Sequence, residues 1–306
     1  MAKYLDPKND LTFKRIFGEH PDLLISFLNE IMPFESGRLI EEVNYLPAEQ
    51  VPNNPGKKNS LVDVKCTDNY KRQFIVEMQM LWDEAFYNRI VFNAGKAYVK
   101  QLNRKDKYHL LQPVYTLAIL NENFDYKTES FYHRFQIVNL ENPNEIIPGL
   151  EFILVELTKL QPQTWSDRKL AVLWLRFLNE VGEDMKNLPS EMEANKFIRK
   201  AAELCEEGAF TPEELAAYDA YWDIVRTEKT LREGAWQEGE TIGLEKGEAI
   251  GLEKGEAIGR AAERTEVQEN IVINSYQAGL SIETISNITG LTSEKITEFL
   301  KKHDLY

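Results

Sequence analysis

The chain has 306 residues with 43% hydrophobic and 11% aromatic content, which excludes a disordered polymer and allows one sizeable domain with appendages, or two domains. The formal net charge of −14 excludes a uniformly basic nucleic-acid binder, but residues 1–110 carry 16 Lys and Arg against 15 Asp and Glu, while residues 111–306 carry 20 against 35. The first part is therefore near neutral, and a local basic surface there can still attract phosphates. No apolar run reaches the length of a bilayer span, and the opening MAKYLDPKND has no apolar signal core. The two cysteines, Cys66 and Cys205, make neither a zinc framework nor a disulfide scaffold. The expectation is a cytoplasmic chain with no membrane partner.

Asp10 precedes LTFKRIFG and reads as a helix N-cap, with Leu11, Phe13, Ile16 and Phe17 at helical spacing. Gly18–Pro21 interrupts the pattern and Leu23–Ile31 resumes it. Arg38–Leu46 reads as a strand and residues 48–60, rich in Pro, Asn, Gly and Lys, as a loop. Leu61–Thr67 and Gln73–Met80 read as two strands joined by a turn at Asp68-Asn69-Tyr70. On the second of them, Glu77 and Gln79 share a face with Ile75, while Phe74, Val76, Met78 and Met80 take the other. Both faces are largely apolar, as in a central strand covered on both sides. An acid there is costly unless it is paired, hydrogen-bonded or bound to a cation. Lys57, Lys58, Lys65, Lys71 and Arg72 flank these strands and offer a basic surface.

Asp83–Leu102 is an amphipathic helix. Val114–Leu120 is a buried strand, Phe131–Leu140 an outer one, and Phe152–Leu157 a further strand. His109 and His133 stand alone and receive no role. Ser166 or Asp167 caps a helix reaching Leu178, Glu191–Glu207 is another helix, and Thr211-Pro-Glu-Glu opens a third.

Glycine then recurs every four residues, at 239, 243, 247, 251, 255 and 259, the last five within IGLEKGEA, IGLEKGEA and IGRAAERT. As a helix this stretch is intrinsically weak, by about 5–6 kcal/mol relative to alanine. Close approach of a partner helix offsets such a deficit, so a homo-oligomer through the tail is expected; a flexible linker is the alternative. Three short helices follow, in a helix-turn-helix-like arrangement. The last begins Ser293-Glu294-Lys295, which is poor for base readout and suits a helical cap or dimer module.

Asp63 and Glu77 on paired strands, with a polar residue two places after the Glu, form the pattern of a hard-metal site. Acids near strand ends that meet solvent or a Lys give the same spacing. The stretch 61–80, the opening Asp10-Leu-Thr-Phe-Lys-Arg-Ile-Phe-Gly18, the helix Tyr87–Leu102 and the glycine-punctuated tail together resemble the PD-(D/E)xK nuclease core. The form is that of the Rpn family of recombination-promoting nucleases and transposases. The resemblance implies an α/β, restriction-endonuclease-like mixed sheet flanked by helices, with a helical C-terminal extension. Its expected partition is a nuclease-like domain over 1–235, a repeat helix or linker over 236–265 and a small helical module over 266–306. It implies a metal-dependent DNA endonuclease using Mg²⁺, with Mn²⁺ or Ca²⁺ as substitutes. Asp63, Glu77 and the backbone carbonyl of Met78 would hold the metal. Gln79 stands where the superfamily has Lys, and would orient the attacking water or a phosphate oxygen. Asp10, Lys14, Arg89 and Tyr98 are candidates for support or DNA contact. Because neutral Gln replaces Lys, a degenerate nuclease fold that binds DNA or protein is the alternative.

Overall fold

The computed structural model describes residues 3–34, 37–49, 61–161 and 168–306. Lys57 and Lys58, most of the 48–60 loop and the caps expected at Ser166 and Asp167 lie outside the described residues. The chain divides into two compact units, Met1–Lys229 and Thr230–Tyr306.

The first unit is built on a six-stranded mixed sheet. Its strands are β1 (Val43–Tyr45), β2 (Val64–Asp68), β3 (Gln73–Gln79), β4 (Val114–Leu120), β5 (Tyr132–Val138) and β6 (Ile146–Glu156), in the order β1-β2-β3-β4-β6-β5. β3, β4 and β6 run parallel, and the other pairings are antiparallel. β3 lies in the interior, and Phe74 to Met78 are all buried. That is why it reads as apolar on both faces. β4 spans the apolar run read from the sequence end to end. The strand read over Arg38–Leu46 is reduced to the three residues of β1, and β6 begins six residues earlier than expected.

Helices cover both faces of the sheet. On one side pack α1 (Asp10–Glu19), α2 (Pro21–Ile31), α4 (Lys169–Glu180), and α6 (Lys196–Glu203), with Val64, Cys66, Phe74, Val76 and Met78 beneath them. Phe17 anchors this layer, with ring centroids 4.8 Å from Phe13, 4.7 Å from Phe27 and 5.6 Å from Trp174. On the other side α3 (Ala85–Val99) sets Ala94 and Ala97 on Ile75, and Phe86 and Ile90 on Ala118 and Leu154. The fold is the expected PD-(D/E)xK-type α/β sheet.

Several local expectations are corrected. Asn9, not Asp10, is the N-cap of α1: its side chain accepts from the Leu11 N–H at 2.9 Å, and Asp10 is already helical. Asn9 is fully buried, so Asn9→Ala is expected to cost about 1–2 kcal/mol in urea denaturation, through the lost cap. The helix read over Glu191–Glu207 is two, α5 (Ser190–Ala194) and α6. Asn195 interrupts it and caps α6 by accepting from Phe197 and Ile198. Arg72 does not serve a basic surface. It is buried, paired with Asp68 at 2.6 Å, and stacked over Phe34 at 4.3 Å.

α7 (Pro212–Gln277) opens with a capping box: Thr211 Oγ1 accepts from the Glu214 N–H, and Glu214 accepts from the Thr211 N–H. The glycine repeat lies inside this one helix, which runs on to Gln277, so the first of the three short terminal helices is not separate. In the second unit α8 (Ile282–Thr289) and α9 (Ser293–Lys302) pack with the end of α7 around Val272, Ile285, Ile296, Phe299 and Leu300. Gly290, with φ +71°, closes α8 in a left-handed turn.

Candidate active site

β2 was expected to begin at Leu61, but pairing with β3 starts at Val64↔Val76, and Asp63 sits on a bend just before it. Continuing the register would set Val62 opposite Met78. Instead the Met78 N–H donates to Asp63 Oδ2 at 2.7 Å. The Asp63 side chain thus stands in for a backbone acceptor, and the ladder ends there. Glu77 lies one residue before Met78 on the face covered by α3. It is buried, and its Oε1 accepts from Asn93 Nδ2 at 3.0 Å.

Both carboxyls are raised, and the charge of Glu77 contributes to the shift of Asp63. Loss of solvent pushes Asp63 up to about 7; the Met78 N–H opposes the shift, and the charges of Glu77 and Asp10 add to it. Loss of solvent also raises Glu77, against the opposing influence of the Asn93 amide and the Arg89 charge. Asp10 therefore lies within electrostatic reach of Asp63, and its own partner is Lys14, 2.7 Å away one turn along α1. Tyr221 of α7 also stands near Asp10 and Asp63, and burial, then those charges, raise its hydroxyl.

Gln79 is differently employed from the expectation. Its Oε1 accepts from Arg89 and its Nε2 donates to the Leu81 carbonyl. Both ends of the amide are occupied, so it holds Arg89 rather than facing a water directly. Arg89 is exposed, and its charge reaches Glu77. Tyr98 is half-buried, packs on the cluster of Val62, Ile75, Ala94 and Ala97, and lies against Gly149, where a Cβ would meet its hydroxyl at 3.3 Å. The sequence reading missed Asn93 and Tyr221. Asn93 carried a signal, because it shares the buried phase of α3 with Ile90, Ala94 and Ala97. Tyr221 is in another part of the chain and carried none.

Does this group suit a divalent ion? Asp63 Oδ1 and Glu77 Oε2 make no hydrogen bond among the described residues. Among those residues no group of three or more His, Cys, Asp or Glu is arranged to hold a metal. Two carboxylates with one oxygen each to spare form a hard donor set of the kind Mg²⁺ takes alongside water and phosphate oxygens. A cation would relieve the repulsion that raises Asp63. The donor set fits.

No helix among the described residues is long and apolar enough to cross a membrane. Comparison with curated proteins and with solved structures returns no match. The profile of one family, described as PD-(D/E)XK nuclease family transposase, matches residues 7–233, which span the sheet, Asp63, Glu77 and the helices around them. The chain belongs to the PD-(D/E)XK nuclease family of transposases.

Proposed function

We propose that the protein is a metal-dependent DNA endonuclease acting at the Asp63–Glu77 pair. Family membership supports a nuclease-type function on DNA, and nucleases of this kind generally use divalent metals. The observation that carries the finer reading is the meeting of two desolvated carboxyls, one raised to about 7 by burial and by its acidic neighbours. Asp63, Glu77 and the Met78 carbonyl would hold Mg²⁺, with Mn²⁺ or Ca²⁺ as substitutes. The bound ion supplies charge to a phosphodiester and makes water a stronger nucleophile. Asn93 fixes the Glu77 carboxyl, the Met78 N–H fixes that of Asp63, and the Asp10–Lys14 pair sets the local charge. In this reading Gln79 positions Arg89, whose guanidinium can meet a phosphate oxygen as a lysine at Gln79 would.

The test is plasmid nicking with Mg²⁺ and with EDTA, by the wild-type chain and by Asp63→Ala and Glu77→Ala. Nicking that needs the metal and both acids is expected. DNA binding without nicking under any metal would favour the catalytically degenerate reading, whose motivation is the Gln at the Lys position. The expected self-association of the tail is likewise a proposal. It is supported by six glycines that face open space on one helix and by lysines 246 and 254, which have no Glu at four-residue spacing. Sedimentation with and without residues 239–306 tests it.

A further inference from the structure

Every residue of α7 from 226 to 267 is exposed. Among them Ile242, Leu244, Ile250, Leu252 and Ile258 are between 42% and 71% exposed. Beyond the helix's own backbone, nothing lies within 4 Å of a Cβ placed on any glycine from 239 to 259. A lone helix with six interior glycines is not held by propensity in water, because most helices draw their stability from a packed apolar face. A partner on this face supplies that packing.

The charges say which partner. Residues four apart form one row along a helix. One row beside the glycines alternates isoleucine and lysine from Ile242 to Ile258, and the row on their other side alternates glutamate and leucine from Glu240 to Glu256. The remaining row, Thr241 to Ala257, has no large apolar residue, so the apolar side of the helix is the glycine side. Lys246, Lys254 and Glu248 make no ion pair among the described residues and have no opposite charge three or four places away on their own helix. Glu256 holds Arg260 at 2.7 Å. In two such helices packed parallel, glycine row to glycine row, a two-fold axis along the pair sets the Ile–Lys row of each against the Glu–Leu row of the other. At equal heights each lysine then stands beside a glutamate of the other copy, Lys246 by Glu248 and Lys254 by Glu256. Each isoleucine stands beside a leucine, Ile242 by Leu244 and Ile250 by Leu252. Antiparallel packing would set lysine row on lysine row and glutamate row on glutamate row.

We propose that this face of α7 is the docking surface for a second copy of the chain, whose α7 lies parallel to it and in register. The pairing rests on the self-association proposed for the tail, and it fixes the direction, register and ionic contacts of that association. The glycines let the two backbones approach closely, and the flanking rows reject the antiparallel alternative. Each pair carries two Asp63–Glu77 sites, a stoichiometry suited to cutting both strands of a duplex.

The experiment is sedimentation of the full chain over a concentration series. It compares the wild type, the double variant Lys246→Glu/Lys254→Glu, and a fourfold variant that adds Glu248→Lys and Glu256→Lys. The double variant turns the Lys–Glu contacts on both sides of the pair into Glu–Glu contacts, and is expected to raise the dimer dissociation constant about a hundredfold. The fourfold variant restores opposite charges and should recover at least about tenfold of that loss, which also shows that the helix has not simply melted. The native thiols are buried, so mild oxidation should form a disulfide in an exchanged mixture of Ile250→Cys and Leu252→Cys chains, and in neither chain alone. An unchanged dissociation constant in the double variant, no recovery in the fourfold variant, or Ile250→Cys linked to itself overturns the parallel pairing and leaves self-association standing. A wild type that is monomeric throughout, or a dimer that survives deletion of residues 239–306, overturns the self-association of the tail and the pairing with it.

Discussion

Asp63→Asn is expected to cut DNA cleavage about a thousandfold or more and, in the same molecule, to stabilise the metal-free protein at neutral pH. Asparagine keeps the oxygen that accepts the Met78 N–H but removes the charge that holds a cation and repels Glu77 and Asp10. The pH dependence has a definite sign. The folded-state value of Asp63 is about 7, raised from an ordinary 3.8. Between those values the folded chain keeps a proton that the unfolded chain has released. Stability from this group is therefore full below about pH 4 and falls as the pH climbs towards 7. With allowance for partial contact with solvent, the loss is about 2–4 kcal/mol. Urea denaturation in EDTA should give Asp63→Asn a large advantage at pH 8 and a smaller one at pH 5. Equal stability at both values, or cleavage retained by the variant, would remove Asp63 from the proposed site.

Glu156→Ala should destabilise the first unit by about 3–5 kcal/mol, through uncompensated burial of its partners and not through loss of a cavity-filling chain. Glu156 ends β6 and is fully buried. Its Oε1 accepts from the N–H groups of Phe124 and Asp125 at 2.8 and 3.3 Å, and its Oε2 from His133 Nε2 and Lys159 Nζ, both at 2.9 Å. One carboxylate thus ties the segment after β4 to β5 and to the turn that follows β6. Thermal melting should show the loss, and limited proteolysis should open residues 121–131 first. A fall below about 1 kcal/mol would mean that these contacts are replaced by solvent without penalty.

Local patterns carried much of this fold. The continuous apolar run of β4, the two-faced apolar character of β3 and the amphipathic phase of α3 are direct consequences of what each element touches, so they could be read before folding. The capping box at Thr211 was legible for the same reason, since both partners lie within four residues. What could not be read depends on distant chain segments. His133 looked isolated because its partner Glu156 is brought beside it only by the pairing of β5 with β6. Gln79 looked free because Arg89 approaches it from a helix that begins after the strand has ended. The cap of α1 was missed by one residue because Asn9 and Asp10 have equal claims by type. What decides between them is the buried position of Asn9, whose Nδ2 also reaches the Tyr218 carbonyl at 3.4 Å.

Both native thiols are sealed in the interior, Cys66 on β2 and Cys205 just beyond α6, and burial pushes Cys66 up to about 12 and Cys205 higher still. Neither carries thiolate at the pH of ordinary conjugation chemistry. The natural chain is in effect already a silent background for site-directed labelling. A single cysteine placed on an exposed face will take a maleimide dye or spin label alone, with no need to strip the native sulfurs and disturb the packing around them.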